Sequence, residues 1–280
     1  MKQYKIGVML ESFRLPFAES LRVAKEIGAD ALQIGLFALD MNAEQRREAL
    51  DMIKSHGLCV SAVCGDLGGH GFTVAADNAA KIETSKRIME MALAFETNVV
   101  TTHIGVIPAD KSGCYGVLTE ACTALGKIGE ECGSRFAIET GPESPEVLGA
   151  FLDQLPTKGI GVNYDPANLV MVTGVDPIKG VHTLGDKIVH THAKDGIMLK
   201  QTDPAVIYGY FADGGIEDMR MEDYFKELPL GKGNVDVPAW IAALSAIDYS
   251  GYVTIEREVG ANPVGDISIA VSYLREIMQK

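Results

Sequence analysis

The amino-acid sequence predicts a single-domain (β/α)₈ barrel, the TIM-barrel fold, over residues 1–280. Short runs of apolar and β-branched residues alternate with helical patterns from end to end, which is typical of parallel β/α folds. Eight such repeats fill the length that this barrel needs, about 250 residues. An open doubly wound sheet usually has a glycine-rich nucleotide loop after an early strand, and neither GxGxxG nor GxxxxGK[ST] occurs here.

The predicted strands are the eight short apolar runs, at 5–10, 31–36, 58–65, 97–103, 135–139, 159–164, 187–193 and 251–256. Helical spacing of apolar residues between them predicts helices at 16–28, 43–57, 78–95, 116–133, 144–155 and 267–279. Gly28 and Gly133 end two of these helices, where a left-handed residue is common. The one long irregular connection, residues 197–234, is expected to form a lid or part of the pocket wall.

The composition excludes several classes of protein. With 38 acidic and 25 basic side chains the formal charge is −13, which repels nucleic acid and anionic lipid. No apolar stretch is long enough to span a bilayer, and the first apolar run is too short for a signal peptide. The five cysteines are odd in number and lack CxxC spacing. We therefore expect a cytoplasmic protein with reduced thiols and neither a nucleic-acid nor a membrane partner.

Polar side chains stand at or just after the ends of five later strands: His103, Glu139, Asp165, His192 and Glu256. In a barrel of this kind the chemistry lies at the carboxyl ends of the strands. Two positions earlier stand small or polar residues, namely Thr101, Ala137, Asn163, His190 and Thr254. The positions in between are mostly large and apolar, as expected against the helices. The polar set is therefore predicted to point into the barrel mouth.

Two histidines share one face of the seventh strand, because residues two apart point the same way. His192 lies at the rim, where it can meet a ligand, and His190 lies one layer deeper. We expect His190 to be hydrogen-bonded to a neighbour rather than to bind a metal.

Three carboxylates packed with one imidazole resist ionisation unless a cation joins them. An oxygen-rich set of this kind suits a single divalent ion, Mn²⁺ or Mg²⁺ first, with Co²⁺ or Zn²⁺ as alternatives. The sequence thus predicts one metal site at the mouth, with Mn²⁺ favoured.

Four motifs resemble the sugar phosphate isomerase/epimerase family of the xylose isomerase-like superfamily: FAIETGPE (136–143), GVNYDPANL (161–169), VHTHAKD (189–195) and LGKGNVDVPAWIAAL…YSGYVTIERE (230–258). The resemblance spans nearly the whole chain. It implies that Glu139, Asp165, His192 and Glu256 are the metal ligands, the set that the strand ends also favour. It also leaves a homo-oligomer open.

Two positions depart from the ketose 3-epimerases of this family. Met198 stands six residues after His192, where those enzymes usually have a substrate-binding arginine, and Gln33 replaces an acidic residue. Asn168 stands where several members carry a histidine, and His103 stands where the endonuclease IV branch has one. We expect His103, Asn168 and Lys194 to contact the substrate.

The implied chemistry is an isomerisation or epimerisation of a sugar or keto-polyol through an enediolate, with Glu139 and Glu256 as the acid and base. Dehydration of an inosose or related keto-polyol shares the first step and stays open. No basic cluster is evident for a phosphate group, so a neutral substrate is preferred. An endonuclease IV-like DNA repair hydrolase and a non-catalytic subunit are the remaining alternatives. The negative charge and Asn168 count against the first, and the two intact glutamates count against the second.

Overall fold

Eight parallel strands close into a barrel in the computed structural model, which describes residues 2–279. The strands of the chain are β1 (Ile6–Met9), β2 (Ala31–Ile34), β3 (Cys59–Cys64), β4 (Val99–Thr102), β5 (Arg135–Glu139), β6 (Ile160–Tyr164), β7 (Ile188–Ala193), β8 (Asp195–Met198), β9 (Phe225–Leu228) and β10 (Val253–Ile255). Around the barrel they are paired in the order β1-β10-β7-β6-β5-β4-β3-β2, and β2 pairs with β1 to close the ring. The predicted fold class is confirmed.

The helices are α1 (Phe17–Glu26), α2 (Ala43–Ser55), α3 (Ala75–Ala94), α4 (Tyr115–Cys132), α5 (Pro145–Asp153), α6 (Pro166–Asn168), α7 (Pro177–Leu184), α8 (Pro204–Ala212), α9 (Val237–Ala246) and α10 (Pro263–Gln279). Several begin with an aspartate or serine cap followed by proline, as in Asp176-Pro177, where the carboxylate accepts the N–H of Ile178. Proline suits the first helical position because its missing N–H would be unpaired there. Helix α7 was not predicted, although the sequence Asp176-Pro177 is a typical start of a helix.

The main hydrophobic core lies between the barrel and the surrounding helices. Large side chains such as Phe136, Leu32 and Trp240 are fully buried there. Burial of such a side chain contributes roughly 1.5–3 kcal/mol. Inside residues 2–279, no helix has the length and apolarity required to cross a bilayer.

The connection predicted to be irregular is largely ordered. β8 and β9 pair as a two-stranded antiparallel sheet, and α8 lies between them. The buried carboxylate of Asp195 accepts backbone N–H groups from Gly196, Gly231, Gly233 and Val235. The bonds from Gly231, Gly233 and Val235 bring the end of the connection back to the end of β7, so Asp195 organises the loop.

Candidate metal centre

The four predicted ligand residues meet at the barrel mouth. Glu139 ends β5, Asp165 follows β6, His192 lies in β7 and Glu256 follows β10. Each offers one ligand atom, and these atoms lie within 4.8 Å of one another. All four residues are buried. The alternation of inward and outward side chains at the strand ends therefore identified four side chains that lie close together in the structure.

Asp165 has one oxygen that is satisfied and one that is not. Its Oδ1 accepts the backbone N–H groups of Ala167 (2.8 Å) and Asn168 (2.9 Å) at the start of α6. Its Oδ2 is buried without a hydrogen-bond partner, 3.6 Å from His192 Nδ1. Burial raises the pKa of Asp165, although nearby Lys194 opposes this. A carboxylate oxygen left bare in the interior is costly, and a divalent cation at this point would satisfy it. The residues therefore fit a metal.

His192 is oriented by a residue on the far side of the barrel. Its Nε2 donates to Gln33 Oε1 at 3.0 Å, and Gln33 in turn donates to Thr101 Oγ1 at 3.0 Å. Nδ1 then faces the carboxylates of Glu256 (3.3 Å) and Glu139 (3.5 Å). Burial opposes the charged form, but these two glutamates raise the pKa of His192 well above its ordinary value. A histidine that ligates a metal usually donates its other N–H in this way.

His190 lies in a polar layer beneath the ligands, as the sequence predicts. Its Nδ1 donates to Asn163 Oδ1 at 2.8 Å, and its Nε2 accepts from Thr254 Oγ1 at 3.0 Å. Burial lowers the pKa of His190 well below its ordinary value, so the ring is neutral. The register between β6 and β7 shifts just before Asn163 and sets it opposite His190. Asn163 Nδ2 is then free to donate to Glu139 Oε2 at 3.0 Å.

The Glu139 side of the mouth contains two of the residues predicted to bind substrate. Asn168 Nδ2 donates to Glu139 Oε1 at 3.0 Å. His103 Nε2 lies 3.7 Å from the same oxygen, and His103 Nδ1 lies 3.0 Å from Asp66 Oδ2. Burial opposes protonation of His103, but Glu139 and Asp66 raise its pKa to about 9. Asn168 orients Glu139, and His103 joins Asp66 to the cluster.

The Glu256 side contains the third predicted substrate residue, Lys194. Its ammonium donates to Glu256 Oε2 at 2.9 Å and to Glu258, and lies 4.0 Å from Asp165 Oδ2. The side chain is 4% exposed. Burial opposes its charge, but Glu256 and Glu258 raise the pKa of Lys194 well above its ordinary value. Lys194 thus pairs with the cluster itself, and its contact with substrate stays a prediction.

Two residues near the mouth were missed at the sequence level. The half-buried Tyr208 of α8 lies against His103, with ring centroids 5.8 Å apart. Glu143 is buried in the loop after β5, where its Oε2 accepts the N–H of Ile107 at 3.4 Å. Burial raises the pKa of Glu143 to about 8. Glu143 lies within a quoted motif, but only its burial distinguishes it from the exposed Glu146 nearby.

The model of the xylose isomerase-like TIM barrel family matches residues 21–277. The chain belongs to this family. No curated protein matches the chain.

Solved structures share the fold at low identity. A xylose isomerase domain protein from Planctomyces limnophilus is 21% identical, with a TM-score of 0.79 over 100% of this chain and 98% of that one. The probable 3-DHS dehydratase AsbF from Bacillus anthracis is 17% identical, with a TM-score of 0.75 over 97% and 98%. The 3-keto-D-glucoside 4-epimerase YcjR from E. coli is 18% identical, with a TM-score of 0.72 over 98% and 100%. Structural neighbours of the family thus include a sugar epimerase and a dehydratase.

Proposed function

We propose that this protein is a divalent-metal-dependent isomerase or epimerase of a sugar or keto-polyol. The observation that carries the proposal is the buried cluster of three carboxylates and one imidazole, with Asp165 Oδ2 left without a partner. The names of the structural neighbours support sugar chemistry in this family. The chain itself is acidic, which favours a small-molecule substrate over nucleic acid.

Glu139, Asp165, His192 and Glu256 would hold one divalent cation, and the preponderance of oxygen donors favours Mn²⁺, with Mg²⁺, Co²⁺ and Zn²⁺ as alternatives. When bound, the cation supplies Lewis acidity that makes the C–H beside a substrate carbonyl easier to ionise.

Glu139 and Glu256 are the proposed acid and base. They come from β5 and the end of β10, with two barrel strands between them, so they approach a substrate from different sides. One takes the proton beside the carbonyl. If the other returns a proton to the opposite face of the same carbon, the product is an epimer. Return to the neighbouring carbon instead exchanges aldose and ketose.

A dehydration is the second candidate, and the His103–Asp66 pair favours it. His103 is charged at neutral pH, since its pKa is raised to about 9, and it lies 3.7 Å from Glu139. A charged imidazole beside the base can donate a proton to a leaving β-hydroxyl, which departs as water.

The test is proton exchange by NMR in D₂O with a panel of ketoses and inososes, with Mn²⁺ or with EDTA. Replacing Glu139 or Glu256 by glutamine is expected to slow exchange by roughly 10²–10⁴-fold. Glu146→Gln, an exposed change on α5, is the matched control and leaves the rate unchanged. Exchange that persists in EDTA would contradict the proposal.

The same assay separates the two candidates. An isomerase or epimerase gives a product that differs from the substrate in mass only by the exchanged deuterium, and His103→Asn alters its rate without altering its identity. A dehydratase releases water, and His103→Asn then retains exchange while losing water release.

A further inference from the structure

Tyr208 lies in α8, in the connection between β8 and β9, and reaches the mouth. Ile207 is the buried residue of α8 and anchors the helix by packing into the protein interior. The helix packs on the segment Leu169–Thr173, which directly follows α6. Tyr208, the next residue, extends over the Glu139 side of the site.

The backbone at residue 141 makes room for Tyr208. A Cβ atom built on Gly141 would overlap the Tyr208 hydroxyl and would lie 3.2 Å from Asn168 Cβ. Glycine at this position therefore allows the tyrosine hydroxyl to lie close to Asn168, whose amide orients Glu139. The ring also lies against His103, whose side chain stays 34% exposed, with centroids 5.8 Å apart and planes inclined at 58°.

A second contact holds α8 across the mouth. Asp213 follows the helix, and its Oδ1 lies 2.8 Å from His70 Nε2 in the loop after β3. The helix is thus joined to loops on the β3, β5 and β6 sides of the barrel. Together these contacts hold α8 in a fixed position beside the mouth, where it forms one wall of the site.

Three basic side chains near the mouth, Lys194, Arg257 and Arg14, are paired with protein groups. Lys194 binds Glu256 and Glu258, and Arg257 binds Glu227 and Asp266. Arg14 donates to the carbonyls of Glu258 and Gly260. A phosphate group would have to compete with these carboxylates and carbonyls for a charged partner.

We infer that Tyr208 closes the mouth above Glu139 and restricts the substrate to a single uncharged polyol unit. The restriction on the substrate rests on the proposed function, whereas the position of the wall does not. Tyr208 is thus assigned as a specificity-determining residue.

The first arm of the test needs neither metal nor substrate. Metal-free protein is treated with diethylpyrocarbonate, and modification of His103 is followed by mass spectrometry with the exposed His182 as internal reference. Tyr208→Phe, which keeps the ring, is expected to react at the wild-type rate. Tyr208→Ala is expected to react several-fold faster at His103 and equally at His182. Equal modification rates at His103 in all three proteins would contradict the inference that Tyr208 shields this side of the mouth.

The second arm uses three ketoses that share one reacting end and differ at the sixth oxygen: D-fructose, isomaltulose, which carries a glucosyl group there, and fructose 6-phosphate. Wild-type protein is expected to exchange protons with fructose alone, and Tyr208→Ala to gain at least about tenfold on isomaltulose relative to fructose. Equal wild-type rates with isomaltulose or with the phosphate would overturn the size or charge restriction while leaving the proposed function intact. If neither these ketoses nor the inososes of the panel exchange although Tyr208→Ala speeds the modification of His103, the proposed chemistry and the substrate restriction fail, and the position of α8 as a wall stands.

Discussion

The two glutamates at the mouth lie in different surroundings. Glu139 receives hydrogen bonds from the amides of Asn163 and Asn168 and faces His103. Glu256 is paired with the ammonium of Lys194. One side of the mouth is therefore built from neutral donors and a histidine, and the other from a fixed positive charge.

This difference suggests separate roles for the two sides. Burial opposes ionisation of both glutamates, and His192 lowers the pKa of each. His103 adds to this at Glu139, and Lys194 adds to it at Glu256, whose pKa is held well below its ordinary value. A carboxylate held ionised by a lysine is a weak base. The geometry therefore favours Glu139 as the base that removes the proton, with Glu256 as the group that returns one.

Removing the charge of Lys194 should have the largest effect. Lys194→Met leaves Glu256 buried beside Asp165 without its ammonium partner, which is expected to cost about 3–5 kcal/mol in the free energy of unfolding. Because the lysine also repels a cation, the variant should bind Mn²⁺ more tightly and regain much of that stability with it. Urea unfolding in EDTA measures the loss of stability, and unfolding in Mn²⁺ measures how much of it the metal restores. The exposed Lys226→Met is the control. An equal loss under both conditions would show that the two charges do not compete.

Glu143→Gln tests a second buried carboxyl on the Glu139 side. The pKa of Glu143 is raised to about 8 by burial, so the folded state binds its proton more tightly than the unfolded chain does. The stability from this group is full below about pH 4.5, the unfolded value, and is lost as pH rises towards 8. Glutamine cannot lose a proton. Relative to the wild type, the free energy of unfolding of the variant should therefore rise by about 2–4 kcal/mol between pH 5 and pH 8. Thermal unfolding at both pH values checks this, and Glu146→Gln should track the wild type.

Asn168→Ala tests the neutral donors of the Glu139 side. Loss of the amide that orients Glu139 should lower kcat about 10–100-fold with little change in KM. Asn168→His, which restores an N–H donor, should recover part of the rate. A rise in KM at constant kcat would instead assign Asn168 to substrate binding, as the sequence predicts.

Asp213→Asn should have the smallest effect. The His70–Asp213 pair is half-exposed, and pairs of this kind are worth less than about 1 kcal/mol. We expect a shift in unfolding temperature close to experimental error and a slight rise in the reactivity of His103 towards diethylpyrocarbonate. A large loss of stability would mean that α8 depends on this contact more than on Ile207.

The fold and the centre of the site were predictable because both depend on local patterns. Alternation along each strand sets which side chains point inward, and this placed Glu139, His192 and the His190 layer correctly. Strand β4 ends one residue before His103, yet the side chain still reaches the mouth. These features follow from the two-residue period of a strand.

The surroundings of the site were not predictable because they depend on contacts between distant segments. Lys194 continues the inward face of β7 and is buried, although in the sequence it resembles a charged residue at the start of a loop. Asp195, the next residue, binds backbone amides up to 40 residues away. Tyr208 lies in a connection whose path no local pattern defines.

The most direct test of the central claim is metal binding at Asp165. Metal-free protein is titrated with Mn²⁺ by calorimetry, beside Asp165→Asn, which keeps the oxygen that caps α6, and the exposed Asp153→Asn as control. We expect one Mn²⁺ per chain in the wild type and the control, and loss of binding in Asp165→Asn. A wild-type protein that binds no divalent metal, or an Asp165→Asn variant that binds it equally well, would contradict the account.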